Sequence, residues 1–250
     1  MSSLQFSKTN EFLAAGLAEG TVKVWDLIGS KQVTRIFTPS AGKAAPVTHV
    51  SFTKANDLVG ASTSAGQVLI YPIADLIASG STGKLSKVNE LVALSAPSPQ
   101  SVNSFSFSPH LSTQLALCQE DGSVSLMDYE RGTVACRYKE HISGARELAH
   151  SPLSKVLLVS VGSDRQIVFY DIGSKQKIQA VSCADALHSM SINSDGYTLA
   201  VGTAGKAKVL IFDLRQVQNG PFAVLSGHGS TVNSLQFRHA DPVTPVPQHQ

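Results

Sequence analysis

Short apolar segments recur along the chain, each alternating with polar residues. Val47–Phe52, Val102–Phe107 and Leu187–Ile192 alternate strictly, and Ala145–His150 is a weaker copy. A period of two predicts half-buried strands rather than helices. Turn-forming pairs follow them, namely Ser108-Pro109, Ser151-Pro152 and Asp195-Gly196, and such pairs break strands. Beyond each turn lies a second kind of segment. At Leu13–Leu27, Leu58–Ile73, Leu115–Tyr129, Leu157–Ile172 and Leu199–Leu214 a short strand leads through a Gly-, Ser- or Asp-rich turn into another apolar strand. Four of these five segments close with Asp one place after a large residue. The large residues are Trp25, Tyr71, Met127, Tyr170 and Phe212. They stand about 45 residues apart, with one gap roughly ten residues longer.

The repeating unit is therefore strand, turn, strand, turn, strand, then an outer strand. Four strands in about 40 to 45 residues make one blade of a β-propeller, so the chain is read as all-β. Within a blade both sheet faces pack on neighbours, which explains third strands that carry no charge between Val68 and Ile70, Ile167 and Phe169, or Val209 and Ile211. The repeats are expected at 4–38, 46–94, 102–139, 145–181 and 187–225, with a partial one at 231–239. Thr231–Phe237 would open a sixth blade. It resembles Ser3–Phe6, and in a ring closed at five blades the two inner strands would compete for one place. A larger ring, cut near both ends, is the simpler expectation, and Met1 falling inside a strand reads as a truncated start. Uncovered edges and blade faces then predict poor stability for the isolated chain. The long gap places an insertion between Ala74 and Ser101, with Val88–Leu94 as outer strand and the rest an exposed loop. Thr38-Pro39 and Ser98-Pro99 make Thr38 and Ser98 candidate sites for proline-directed phosphorylation. Residues 240–250 read as a Pro-rich tail.

Composition narrows the function. The 250 residues are 42% apolar and 15% charged, with a net charge of +2. That balance gives no reason to expect nucleic acid as a partner. Cys118, Cys136 and Cys183 are odd in number and far apart, so neither a disulfide framework nor a zinc site is suggested and a reducing compartment fits best. There is no apolar run long enough for a membrane span, and the N-terminus does not read as a signal peptide. Eight histidines are scattered without an HExxH pair, and no nucleophile elbow or phosphate loop is present. Catalytic residues, metal ligands and cofactors are accordingly not expected, and Asp121-Gly122 reads as a hairpin turn. Lys175, Lys177, Lys206 and Lys208 form a loose basic set read as a solvated rim. What remains is a non-catalytic scaffold that binds proteins.

Two resemblances sharpen this. Val24-Trp25-Asp26-Leu27 and Gly227-His228 resemble the WD and GH signatures of WD40 repeats. The WD40 resemblance implies a buried hydrogen-bond set, for which His141, Ser160, Asp164 and Tyr170 hold the corresponding places in one blade, Tyr replacing Trp. The stretch from His150 to Phe237, with its Gly162–Lys177 run and Phe212-Asp213-Leu214-Arg215 step, is similar to the late blades of the NEDD-one family. That similarity implies a seven-bladed ring with about two blades absent. It also implies an adaptor that recruits the γ-tubulin ring complex for microtubule nucleation, in the cytoplasm and cytoskeleton, at the centrosome and spindle pole. A C-terminal helical region holds that complex in the family and is missing here, so this chain would carry the targeting half and meet the complex only indirectly. An alternative comes from Phe212–Arg215, which also resembles the WDxR box of substrate receptors of cullin-four ubiquitin ligases, with Asp213 and Arg215 as the partner-binding residues.

Overall fold

Four consecutive strands pair antiparallel in chain order, and this unit recurs in five separate sheets. The computed structural model describes residues 3–28, 35–37, 45–78, 92–95 and 98–237. The first blade comprises β1 (Ser3–Phe6), β2 (Phe12–Gly16), β3 (Val22–Asp26) and β4 (Arg35–Phe37). The second has β5 (Val47–Phe52), β6 (Leu58–Thr63), β7 (Gln67–Pro72) and, after a helix α1 (Ile73–Ala78), β8 (Val92–Ser95). The third holds β9 (Val102–Phe107), β10 (Gln114–Gln119), β11 (Val124–Asp128) and β12 (Thr133–Tyr138). The fourth holds β13 (Ala145–His150), β14 (Leu157–Gly162), β15 (Gln166–Asp171) and β16 (Gln176–Ser182). The fifth holds β17 (Leu187–Ile192), β18 (Thr198–Thr203), β19 (Val209–Asp213) and β20 (Ala223–Leu225).

The core is divided among the blade interfaces. Val22 and Val24 of the first blade meet Val50 and Phe52 of the second. Val68 and Ile70 meet Phe105 and Phe107. Leu126 and Tyr138 meet Leu148 and Leu158, and Ile167 and Phe169 meet Met190 and Val201. Each sheet is thus buried on a face by its neighbour's inner strand, the packing that the uncharged third strands require. In four inner strands the register shifts at the second residue, between Val47 and His49 and at the equivalent steps. This bulge lets the first and third side chains both leave the sheet toward neighbouring blades.

The recurring Asp at the end of the third strand has a local purpose. Asp26 accepts the N–H of Ile28 at 3.0 Å, Asp128 those of Glu130 and Arg131, Asp171 those of Gly173 and Ser174, and Asp213 that of Arg215 at 2.9 Å. Each carboxylate closes a tight turn into the outer strand by satisfying N–H groups that would otherwise lack partners. Asp128→Ala is expected to cost about 1 kcal/mol, as loss of a helix cap does, and to lower Tm by about 2–4 °C in scanning calorimetry. Pro72 stands where the second blade would carry this Asp, and there the chain enters α1 instead, since proline suits the start of a helix.

This corrects the expectation of an exposed loop from Ala74. The insertion opens as a helix, and Ile73 and Leu76 are buried in the first interface. The outer strand is Val92–Ser95, while 79–91 and the 240–250 tail lie outside the described residues. Thr231–Phe237 also differs from expectation, for it carries no ladder. It lies where the next inner strand would, with Val232, Leu235 and Phe237 packed on Ala200 and Ile211.

Candidate functional site

The five inner strands and 233–237 line a central cavity of about 1040 Å³. The inner strands are separate edges of separate sheets, so their outward-facing backbone groups need side-chain partners. A repeated arrangement supplies them. Ser3 and Gln5 accept the N–H groups of Val50 and Phe52, at 3.1 and 3.2 Å. Glu147 accepts that of Met190 at 2.6 Å, and Ser191 that of Phe237 at 3.3 Å. In the other sense Thr48, Asn103 and Ser189 donate to the carbonyls of Val102, Ala145 and Val232. Neighbouring blades are therefore stitched along the channel by polar side chains of the inner strands.

Burial governs the charge of this wall. It pushes the Glu147 carboxyl up to about 8, against the opposing Met190 N–H. It pushes the imidazoles of His49 and His150 down to about 4. His49 meets the Phe105 ring edge-on at 5.6 Å, as a neutral ring would. His188 is lowered by burial and by the Arg146 guanidinium. Arg146 is itself held bidentate by Glu120, at 2.9 and 3.0 Å, with Ser163 on its Nε. This ties the third blade to the fourth.

The fourth blade brings His141, Ser160, Asp164 and Tyr170 together. His141 Nδ1 lies 2.9 Å from Asp164 Oδ1, and its Nε2 lies 2.7 Å from Ser160 Oγ. Ser160 Oγ lies 3.2 Å from the Tyr170 hydroxyl. Asp164 also accepts the N–H groups of Ile142 and Gln166. Gly162 makes room for this, since a Cβ there would stand 2.5 Å from His141 Nδ1. The arrangement has the order of a Ser-His-Asp triad, but Ser160 is 0% exposed and its hydroxyl is shared with Tyr170. No substrate reaches it, so the chemistry it supports is bracing rather than acyl transfer.

The third blade solves the same problem with a different residue, one that sequence reasoning missed. Gln119 stands where Gly162 stands in the fourth blade. Its amide fills the space His141 would take, donating to the carbonyls of Ser98 and Gln100 and accepting from Ser123 Oγ. The signal was the exchange of Gly for a long amide at that strand end.

Other candidates fare differently. Ser98, expected in an exposed loop, is 9% exposed, is held through its carbonyl by Gln119, and has its hydroxyl bonded to Asp121. That corrects its placement in an exposed loop, and a phosphate on Ser98 would stand beside the Asp121 carboxylate. Thr38 lies outside the described residues. Arg215 binds its own Asp213 through Nε and Nη2, at 2.9 and 2.6 Å, and its guanidinium stacks 4.7 Å from the Tyr197 ring centre. These contacts hold the Asp213 carboxyl down at about 2. The guanidinium fork is thus engaged within its own blade. Among the basic set, Lys177 pairs with Glu140 and Lys206 with Asp185. Exposed apolar side chains gather on the face built from the first and third turns of each blade, where Leu27, Ile28, Leu111, Leu153, Tyr197 and Phe222 protrude. An apolar face of this kind suits protein partners.

Repeated four-stranded blades, inner-strand bulges and the buried His-Ser-Asp-Tyr set define a β-propeller of the WD40 type. The family model described as WD domain, G-beta repeat, matches residues 1–26. Along nearly the whole chain the sequence is similar to Protein NEDD1, 26% identical to that of Homo sapiens over 96% of this chain and 34% of that protein. The Mus musculus protein is 23% identical over the same shares. The histone acetyltransferase type B subunit 2 of Kluyveromyces lactis is 24% identical over 52% of this chain and 32% of its own. The chain spans about a third of the length of the curated relatives it matches first.

Proposed function

We propose that this propeller is the targeting part of a non-catalytic adaptor that brings the γ-tubulin ring complex to centrosomes and spindle poles for microtubule nucleation. The observation that carries the reading is the extent of the similarity to Protein NEDD1, which runs through all five blades rather than one repeat. In this reading the channel stitches and the His141–Ser160–Asp164–Tyr170 set keep the disc rigid. The turns then hold a fixed constellation of partner-facing side chains, which lowers the ordering cost of binding. Contact with the γ-tubulin complex is indirect, and the propeller supplies the address through centrosomal or spindle proteins. Fusing the 250-residue chain to a fluorescent protein and imaging dividing cells tests this. Enrichment at the poles is expected. A uniform signal from a soluble fusion, in cells whose poles stain for γ-tubulin, overturns it.

A further inference from the structure

Just past the end of each inner strand the chain borders the central cavity, with Lys8, Lys54, Pro109, Pro152 and Ser194 at equivalent positions. These residues form one rim, and its two cations are neighbours. The turn carrying Lys8 is clasped to the turn carrying Lys54 by Asn56, which accepts the Lys8 N–H at 3.2 Å and donates to Thr9 Oγ1 at 2.7 Å. Asn56 is buried and takes a left-handed backbone, which asparagine tolerates. The clasp therefore fixes two like charges on one side of the cavity. Partial burial, and then the Lys54 charge, hold the Lys8 ammonium below the usual lysine range.

Among the described residues nothing neutralises this pair. Neither lysine joins an ion pair there. Asp57, in the same turn as Lys54, accepts from the Thr53 hydroxyl instead. Farther along the wall, Glu147 keeps its proton up to about 8, and the Arg146 fork is taken by Glu120. A cleft lined by one sign of charge focuses its field and concentrates counter-ions. A like-charged pair held without a counter-ion breaks the ordinary rule of charge pairing, and such breaks gather at functional sites. Further round the rim the surface turns apolar. Pro109 and Pro152 border the cavity, Leu111 and Leu153 stand exposed beside them, and His110 Nε2 joins the two turns by meeting the Ser151 carbonyl at 3.1 Å.

We propose that Lys8 and Lys54 bind a phosphorylated side chain of a partner protein, whose flanking apolar residues rest on Leu111 and Leu153. A phosphate monoester carries close to two negative charges and three acceptor oxygens, so it serves both ammonium groups, whereas a carboxylate matches one. The apolar part of the rim favours a peptide segment over a free phosphate. This rests on the adaptor reading and deepens it by naming how the disc holds a partner. Its test uses purified protein, so it fails separately from targeting in cells.

Carbon-13 dimethylation of the lysines, which keeps their charge, lets NMR read each ammonium separately in the full chain. The probe is a short peptide with phosphoserine at its centre and leucine at each end. Its addition is expected to move the Lys8 and Lys54 signals along one saturable curve while those of exposed Lys155 and Lys175 stay in place. Lys54→Gln, read at Lys8, is expected to weaken binding about tenfold, the worth of one charge-assisted hydrogen bond. Lys8→Gln, read at Lys54, repeats the test from the other side, and Leu153→Asp is expected to weaken the peptide without weakening inorganic phosphate. Equal movement at all four lysines overturns the proposal, as does full affinity in both single lysine variants. Inorganic phosphate binding as tightly as the peptide overturns the partner assignment. The unphosphorylated peptide binding as tightly overturns the role of phosphate.

Discussion

His141→Phe is expected to lower the free energy of unfolding by about 2–4 kcal/mol, because each buried polar group left without its partner costs about 1–3 kcal/mol. The ring volume is kept, so the effect comes from hydrogen bonding. Asp164, whose side chain is 1% exposed, would keep only the N–H groups of Ile142 and Gln166. Ser160 would lose its imidazole partner inside a site closed to water. A hydroxyl deletion sets the scale, since Tyr170→Phe removes one 3.2 Å contact and is expected to cost about 1 kcal/mol. Urea unfolding read by far-UV circular dichroism checks both. A His141→Phe chain within 1 kcal/mol of the parent, by the measure of an ordinary hydrogen bond, would show that the set does not brace the blade.

Stability is expected to fall between pH 6.5 and 8, and Glu147→Gln to remove that fall. The folded carboxyl titrates near 8, against about 4.5 for the unfolded chain. Between those values the folded state binds the extra proton. Its contribution is complete below 4.5 and is lost as pH rises through 8. His49 and His150 act in the opposite sense. Their folded values near 4 lie below the unfolded 6.5, so they add stability as pH rises from 4 to 6.5 and nothing further above it. Above pH 6.5 the Glu147 slope stands alone among the three. One proton contributes about 1.4 kcal/mol per pH unit, so the fall from pH 6.5 to 8 is at most about 2 kcal/mol, and less where solvent screens the carboxyl. Denaturant titrations at half-unit pH steps check it. A flat profile from 6.5 to 8 in the parent chain removes the inference.

Much of the architecture can be read from periodicity. Strict alternation in Val47–Phe52 and uncharged apolar strands such as Val68–Ile70 follow from sheets buried on both faces, and the recurring Asp marks a turn. Similarity to known repeats pointed to His141, Ser160, Asp164 and Tyr170. Three features were hidden for physical reasons. The helix after Pro72 spans only Ile73–Ala78, too few residues to show a helical period, and a Ser- and Gly-rich stretch follows it. Gln119 does the work of a histidine from a different strand position, which only a three-dimensional exchange of volume reveals. Ser98 sits in a Ser-Pro pair of loop character, yet its burial depends on contacts with Gln119 and Asp121, some twenty residues away in the chain.

Every blade is assembled from four strands in unbroken chain order, and this has a consequence during synthesis. All ladders of a sheet close within one contiguous stretch, so no strand waits for a distant partner to be translated. Low separation between pairing partners favours fast formation, and domains emerging from the ribosome fold in order from the N-terminus. Each finished blade then offers a half-built interface to the next, as Glu147 waits for the N–H of Met190 and Thr48 for the carbonyl of Val102. Growth of the disc is directional, each nascent sheet templated by the one translated before it.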